Sequence, residues 1–169
     1  MTRPAVTPYG DRNANAPREL DIFSFLVGKW TGTGKAKLPD GKVAEFPVTW
    51  IGRYILDGTA IEDELHSLAP DGSPYLGISL RQYDARAKVW IVEYLNVSGN
   101  FIRRQVNGDS GAVSVAGPTV TVVSESDDAF SKEHYRVADK NTFVYTIEIS
   151  SDHGKTWAES QIEMTLHRA

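Results

Sequence analysis

Asp63 stands between Ile61 and Leu65 in a stretch where residue types alternate strictly. One alternate set is Ala60, Glu62, Glu64 and His66; the other is Ile61, Asp63 and Leu65. In a strand with one buried face the charged set takes the solvent, which turns Asp63 inward among apolar neighbours. A buried carboxylate costs free energy unless it is paired or hydrogen-bonded. Arg81 is the candidate partner. Over 75–83, Gly77, Ser79, Arg81 and Tyr83 share a face opposite Leu76, Ile78, Leu80 and Gln82. Periodicity alone turns the Leu/Ile set inward; room for a ligand at Gly77 and Ser79 turns Arg81 inward, and both stay open at this point. An internal Asp63–Arg81 pair has three readings. It orients a polar ligand, it provides a general base with a shifted pKa, or it is a structural ion pair.

The neighbouring candidates are hydrogen-bonding groups set among aromatics. Phe46, Val48, Trp50, Gly52 and Tyr54 form one face of a strand, and Phe143, Tyr145, Ile147 and Ile149 form another. Over 88–97, Glu93 breaks the set Val89, Ile91, Leu95, so Trp90, Val92, Tyr94 and Asn96 are expected inside. Ile162, Met164 and Leu166 are the inward set of the last strand. Trp50, Tyr94, Asn96 and Tyr145 suit a flat ligand with one or two polar atoms, with Trp50 and Trp90 as walls. The alternative is an ordinary core in which each hydroxyl finds a backbone partner.

Other chemistries are excluded or weakly supported. The chain has no cysteine, which removes disulfides, thiolate nucleophiles and Cys-ligated metals. Glu62, Glu64 and His66 share a face that would suit a divalent cation, but a solvated exterior accounts for them and no metal is expected. Lys132, His134 and Arg136 read as an exterior basic cluster, and His153 as a turn residue. No Gly-x-Ser-x-Gly is present, and Gly32-Thr33-Gly34 leads into a strand rather than a phosphate-binding helix. A formal net charge of −4 on 169 residues disfavours nucleic acid. No apolar run reaches membrane-span length, and residues 1–20 hold no signal-peptide core. The expectation is a cytoplasmic protein with no membrane or nucleic-acid partner.

The elements that must position these residues are short strands. Turn signals recur every ten to fifteen residues, among them Pro39-Asp40-Gly41, Asp57-Gly58, Pro70-Asp71-Gly72, Asp84-Ala85-Arg86, Ser98-Gly99-Asn100, Asn107-Gly108-Asp109, Gly117-Pro118, Asp139-Lys140-Asn141 and Asp152-His153-Gly154. Between them lie strand candidates at 29–37, 43–55, 59–67, 75–83, 88–97, 101–106, 111–116, 119–125, 130–138, 142–150 and 156–167. The inward face of 101–106 is open. A meander of about ten such strands predicts an all-β, antiparallel up-and-down barrel, which removes its edges by closing and holds one small ligand in its mouth. Asp21 is expected to cap a short helix over Ile22–Leu26, stopped by Gly28, that plugs one end. Residues 1–17, with Pro4, Pro8 and Pro17, are expected to be a flexible leader ahead of a single domain over 18–169.

A family resemblance rests on Phe25-Leu26-Val27-Gly28-Lys29-Trp30 followed by Gly32-Thr33-Gly34, on Leu56-Asp57-Gly58-Thr59-Ala60 and Arg81-Gln82-Tyr83-Asp84, on Trp90 through Tyr94 and Phe143-Val144-Tyr145, and on Ser151 through Trp157. In this order, over residues 20–169, the chain resembles the calycin (lipocalin-like) superfamily, and more closely a bacterial family of lipocalin-like domains of unknown function. The resemblance implies a barrel with a cavity. It also implies that Trp30 closes the barrel base with Arg168 lying over it as a cation–π contact. The Gly-x-Trp-x-Gly-x-Gly run is similar to the opening of nitrobindin-type heme barrels, but Lys35-Ala36-Lys37 replaces their further glycines and Tyr-Pro. An axial histidine would come from the C-terminal region, where His167 falls on the outer face.

Three functional readings follow. The first is a binding protein with a small apolar or amphipathic ligand in the lumen, anchored by Asp63, Arg81, Tyr94, Asn96 and Tyr145, and needing no cofactor. The second is a cofactor-free isomerase, cyclase or lyase with Asp63 as acid or base and Arg81 or a Tyr stabilising oxyanion charge. The third is a partner-binding barrel, homodimeric through an outward Leu76/Ile78/Leu80 row.

Overall fold

Alternation at period two, punctuated by turn residues, builds eleven strands and one short helix in the computed structural model of the chain. It describes residues 7–69, 72–96, 102–105, 112–125 and 130–169. The turn signals at 98–100 and 107–109, and the inward face of 101–106, lie outside the described residues. So does part of the signal at 70–72. The strands are β1 (Gly28–Lys37), β2 (Val43–Ile55), β3 (Ala60–Leu68), β4 (Pro74–Asp84), β5 (Val89–Asn96), β6 (Ile102–Gln105), β7 (Val113–Ala116), β8 (Thr119–Glu125), β9 (Phe130–Asp139), β10 (Thr142–Ser150) and β11 (Ile162–Arg168). The last begins six residues later than expected, because 156–161 is taken up by a loop joined to β10 by the Ile149–Ala158 bridge and by the Ile147 N–H, which donates to the Ser160 hydroxyl.

All pairings between strands are antiparallel, and sequence neighbours pair from β1 to β6 and from β7 to β11. The first and last strands pair over seven register positions, from Trp30 with Arg168 to Ala36 with Ile162. The ring closes where β6 meets β8, through Arg104–Glu125 and Gln105–Ser124. Ten strands thus form the nearly closed barrel expected, and β7 lies alongside as a hairpin arm of β8. Closure leaves little edge to template aggregation.

The helix spans Arg18–Leu26 and is a 3-10 helix. It departs from expectation at its start. Pro17, not Asp21, is the capping position, and no side chain caps it. Asp21 instead pairs with Arg12. Leu20, Phe23 and Leu26 recur every three residues, the repeat of a 3-10 helix, and all three are fully buried. They seal one end of the barrel. The helix end rests on β2 at Gly52, where a side chain would run into the Leu26 carbonyl. Residues 7–17 are tied to the same end: Tyr54 N–H donates to the Tyr9 carbonyl at 2.8 Å, Asn13 N–H donates to Gly58 at 3.0 Å, and Ala16 is buried.

The base carries the stack implied by the resemblance. The Arg168 guanidinium lies 4.1 Å from the Trp30 ring centre and donates to the Val27, Phe25 and Lys140 carbonyls. Trp30 donates its indole N–H to Leu26 at 3.1 Å and packs edge-on against Phe143. No helix among the described residues is long and apolar enough to cross a membrane.

Candidate functional site

β4 turns its small residues inward. Ser79 and Arg81 are buried, while Leu80 is 37% exposed on the outside. The register explains the choice, because Asp63 of β3 faces Ser79, and Ile61 faces Arg81, across the β3–β4 ladder. With Arg81 inward, Asp63 has its counter-ion: the Arg81 Nη1 and Asp63 Oδ2 atoms form an ion pair, both side chains 1% exposed. The other Asp63 oxygen accepts the Trp50 indole N–H at 2.9 Å. Arg81 Nη2 donates to the Tyr135 hydroxyl at 2.9 Å, and that hydroxyl donates to Glu133 Oε2 at 2.7 Å. The guanidinium is also packed 5.1 Å from the Phe23 ring centre of the helix and 5.7 Å from that of Tyr135. A polar chain Trp50–Asp63–Arg81–Tyr135–Glu133 therefore crosses the lumen.

Above this chain lies a cavity of about 420 Å³, in the range that takes a drug-sized ligand. Trp50, Asp63, Ser79, Glu133 and Tyr135 form its floor, Leu65, Gly77, Tyr94, Tyr145 and Met164 its middle, and Ala36, Phe46, Leu68, Ile149 and Ile162 its upper wall. The upper residues sit at the strand ends opposite the helix. Leu68 and Ile149 are 38% and 39% exposed there, which marks the mouth. Trp50, Tyr135 and Tyr145 meet edge to face, with centroids 5.2–6.0 Å apart. The Tyr75 and Tyr94 hydroxyls are hydrogen-bonded at 2.5 Å. Gly77 makes room for them, since a side chain there would meet the Tyr94 ring. Burial, and after it the Glu133 charge, pushes the Tyr135 hydroxyl far above the ordinary tyrosine range, so it remains a hydrogen-bond donor.

The residues expected at the site divide by depth. Trp50, Asp63, Tyr94 and Tyr145 line the cavity, and Arg81 sits directly behind Asp63. Trp90 points inward as expected but is level with the helix, edge-on to Phe23 at 5.0 Å and to Tyr83 at 5.4 Å. It is part of the plug and not a cavity wall, because alternation gives the face of a residue but not its height along the barrel. Asn96, half-buried opposite Gly77 on β5, is also outside the cavity wall. Ser79 lines the cavity beside Gly77, where room for a ligand was expected; Glu133, Tyr135 and Tyr75 line it too and are not singled out by the sequence. For Glu133 and Tyr135 the signal existed: Lys132, His134 and Arg136 outside implies Ser131, Glu133 and Tyr135 inside.

The other candidates lie on the exterior. Arg53 Nη1 donates to Glu64 at 2.6 Å and to Glu62 at 3.2 Å, and this bond holds the Glu64 carboxyl below its usual range. His66 bonds Glu64. No cluster among the described residues is arranged to hold a metal ion. His167 is exposed beside Thr142. None of the described cavity walls is a histidine, so the lumen does not offer a heme the axial imidazole that the resemblance to heme barrels implies.

Comparison with curated proteins gives no match. Among solved structures, the crystal structure of Rv2717c from M. tuberculosis superposes with a TM-score of 0.62 at 17% identity, covering 92% of this chain and 99% of that one. The S-type phycobiliprotein lyase CPES from Guillardia theta superposes with a TM-score of 0.54 at 11% identity, covering 88% and 91%. At such identities the likeness is one of fold. Sequence carries the assignment further: the model of one family matches residues 17–168, and the chain belongs to that family, described as "Protein of unknown function (DUF1579)".

Proposed function

We propose that the protein binds a small amphipathic molecule in the barrel lumen, as a calycin-type carrier or sensor domain spanning residues 18–169. One observation carries this reading: an aromatic-walled space of about 420 Å³ whose floor holds hydrogen-bonding groups already fixed by one another. A side-chain-filled barrel would leave no such space, and a preorganised polar floor lowers the ordering cost of binding. The ligand's apolar part lies against Tyr94, Tyr145, Leu65 and Met164, and its polar end reaches Asp63, Glu133 and the Tyr135 hydroxyl. Arg81 acts through Asp63 and Tyr135, holding them in place. The reading gives Asp63 an orienting role rather than a proton-transfer role, because Trp50 and Arg81 engage its two oxygens.

Native mass spectrometry of the protein purified from its own host, followed by denaturing extraction, tests the reading. A stoichiometric small molecule that disappears in a cavity-filling Ala36→Phe variant is the expected result. A clean apo mass, together with no response of Trp50 fluorescence to a panel of amphipathic probes, would sink it.

A further inference from the structure

The outside of the barrel is not uniform. On β1 and β11 the outward residues are lysine, threonine, glutamate and histidine, Thr33 and Thr165 among them. That is the ordinary solvent side of an alternating strand. β4 and β5 depart from it. Leu76, Ile78 and Leu80 stand outward on β4, and Ile91 and Leu95 on β5, with Glu93 between those two. Leu80, Ile91 and Leu95 are 37%, 44% and 41% exposed, and Leu76 and Ile78 are half-buried. Ile78 faces Leu95 across the ladder, so the two rows make one patch. The lumen uses none of these side chains, because β4 turns Gly77, Ser79 and Arg81 to the inside. A contiguous apolar patch in water marks an interaction surface.

We infer that this face binds a second copy of the chain, β4 lying antiparallel over β4 about a two-fold axis at Ile78. The sequence of the face is symmetric about that residue, with a leucine two positions away on either side. Leu76 of each copy rests on the partner's Leu80, and Ile78 meets its own counterpart. The flank matches in charge under the same rotation. On β3, Glu62 is in register with Leu80 and His66 with Leu76. The turn that exchanges the leucines therefore sets Glu62 opposite the partner's His66. Glu64, level with Ile78, meets its counterpart, and each Glu64 is held within its own chain by Arg53 at 2.6 Å and His66 at 3.1 Å. One rotation thus pairs both the apolar row and its polar flank, which is what an isologous interface requires. The contact is small: three strands wide and a few alternate residues long, it covers roughly 400 Å² a side, half that of a standard interface. The dimer is accordingly weak, with a Kd of about 10–100 μM.

Sedimentation equilibrium of the full chain, from about 5 μM to about 1 mM, tests the inference. A reversible monomer–dimer equilibrium in that range is expected. Ile78→Arg sets two cations on the axis and is expected to weaken the dimer by at least about a hundredfold. His66→Glu faces the partner's Glu62 with a like charge and is expected to weaken it about tenfold. Thr165→Arg, on the polar side of the barrel, is expected to leave it unchanged. Far-UV circular dichroism shows which variants are folded; if Ile78→Arg is not, Leu95→Lys takes its place on the same patch. A monomer up to the highest concentration overturns the inference and leaves the face to a different protein. A dimer that persists in folded Ile78→Arg or Leu95→Lys overturns it too, because the contact then lies elsewhere.

Discussion

The two ends of the barrel are built from the same alternating strands but differ in packing. At the plugged end, Phe23 meets Trp90 and Trp30 meets Phe143 edge to face, and Arg81 is buried against Phe23. In the half with the cavity, β1 and β4 place the small residues Ala36, Gly77 and Ser79 inward at successive heights, and space is left. One end has a helix packed across its inward side chains; the other has small residues among its large ones and no helix over it. The helix-capped half supplies stability, and the gaps of the other half supply a binding volume. The Asp63–Arg81 pair lies at the boundary and belongs to both, a fixed floor for the cavity and a buried charge pair for the core.

The largest effect is expected at that boundary. Arg81→Met leaves Asp63 buried without its counter-ion and should lower unfolding free energy by about 3–5 kcal/mol in urea denaturation. The Asp63→Leu/Arg81→Met double variant removes both charges and should recover most of that loss. If the double variant is no more stable than the single, the pair is not what the plugged end depends on. Next is the base itself. Arg168→Ala loses an exposed cation–π stack and bonds to three carbonyls, and should cost about 1 kcal/mol with no change in lumen affinity, read by the same denaturation and by probe titration.

At the open end the contrast should invert. Ala36→Phe adds volume to a void, so it should change stability by less than about 1 kcal/mol while abolishing probe binding. A loss of stability as large as that of Arg81→Met would mean that the open end is as tightly packed as the closed one. The smallest effect is local to the loop after β10. There Asp152 accepts the Thr156 N–H and hydroxyl and the Ser150 hydroxyl, which together bring its carboxyl down to about 2. A carboxyl lowered on folding contributes stability that is present above its unfolded value and is lost as pH falls through the folded one. The loop should therefore stay closed at pH 5 and open between about pH 4 and 2, monitored by Trp157 emission as its contact with Lys132 breaks. Asp152→Ala should remove that transition and leave the lumen unaffected.

How much of this the sequence discloses depends on whether a property is local. Which way Asp63 points is a property of the seven consecutive residues Ala60 to His66, so alternation reveals it. Arg81 required a choice between two faces of β4, and the deciding fact, that Asp63 faces Ser79 across the ladder, is a register between strands. The same limit applies to Tyr75 and Tyr94, whose hydroxyls meet only because β4 and β5 are in one particular alignment. Glu133 and Tyr135 are legible by the rule applied to β3, because Lys132, His134 and Arg136 alternate with them and take the outer face. Trp90 shows the remaining gap: two inward residues on neighbouring strands are wall or plug according to height, and height is set by strand stagger around the whole ring. The helix type was readable in the three-residue spacing of Leu20, Phe23 and Leu26, whereas the capping rule for longer helices pointed to Asp21.

The pairing of β1 with β11 brings the first and last strands side by side, with Ala169 donating back to Lys29. Because the two strands that face each other there are the most distant in the chain, the lumen has no partial form. Ala36 and Met164, on either side of that seam, both line it. Removing either strand opens the ring to water and ends the cavity outright. A molecule held inside therefore binds only the fully closed ring, and its binding energy adds to the cohesion of the two chain ends. Occupancy of the lumen then becomes measurable far from it, as slower hydrogen exchange along β1 and β11.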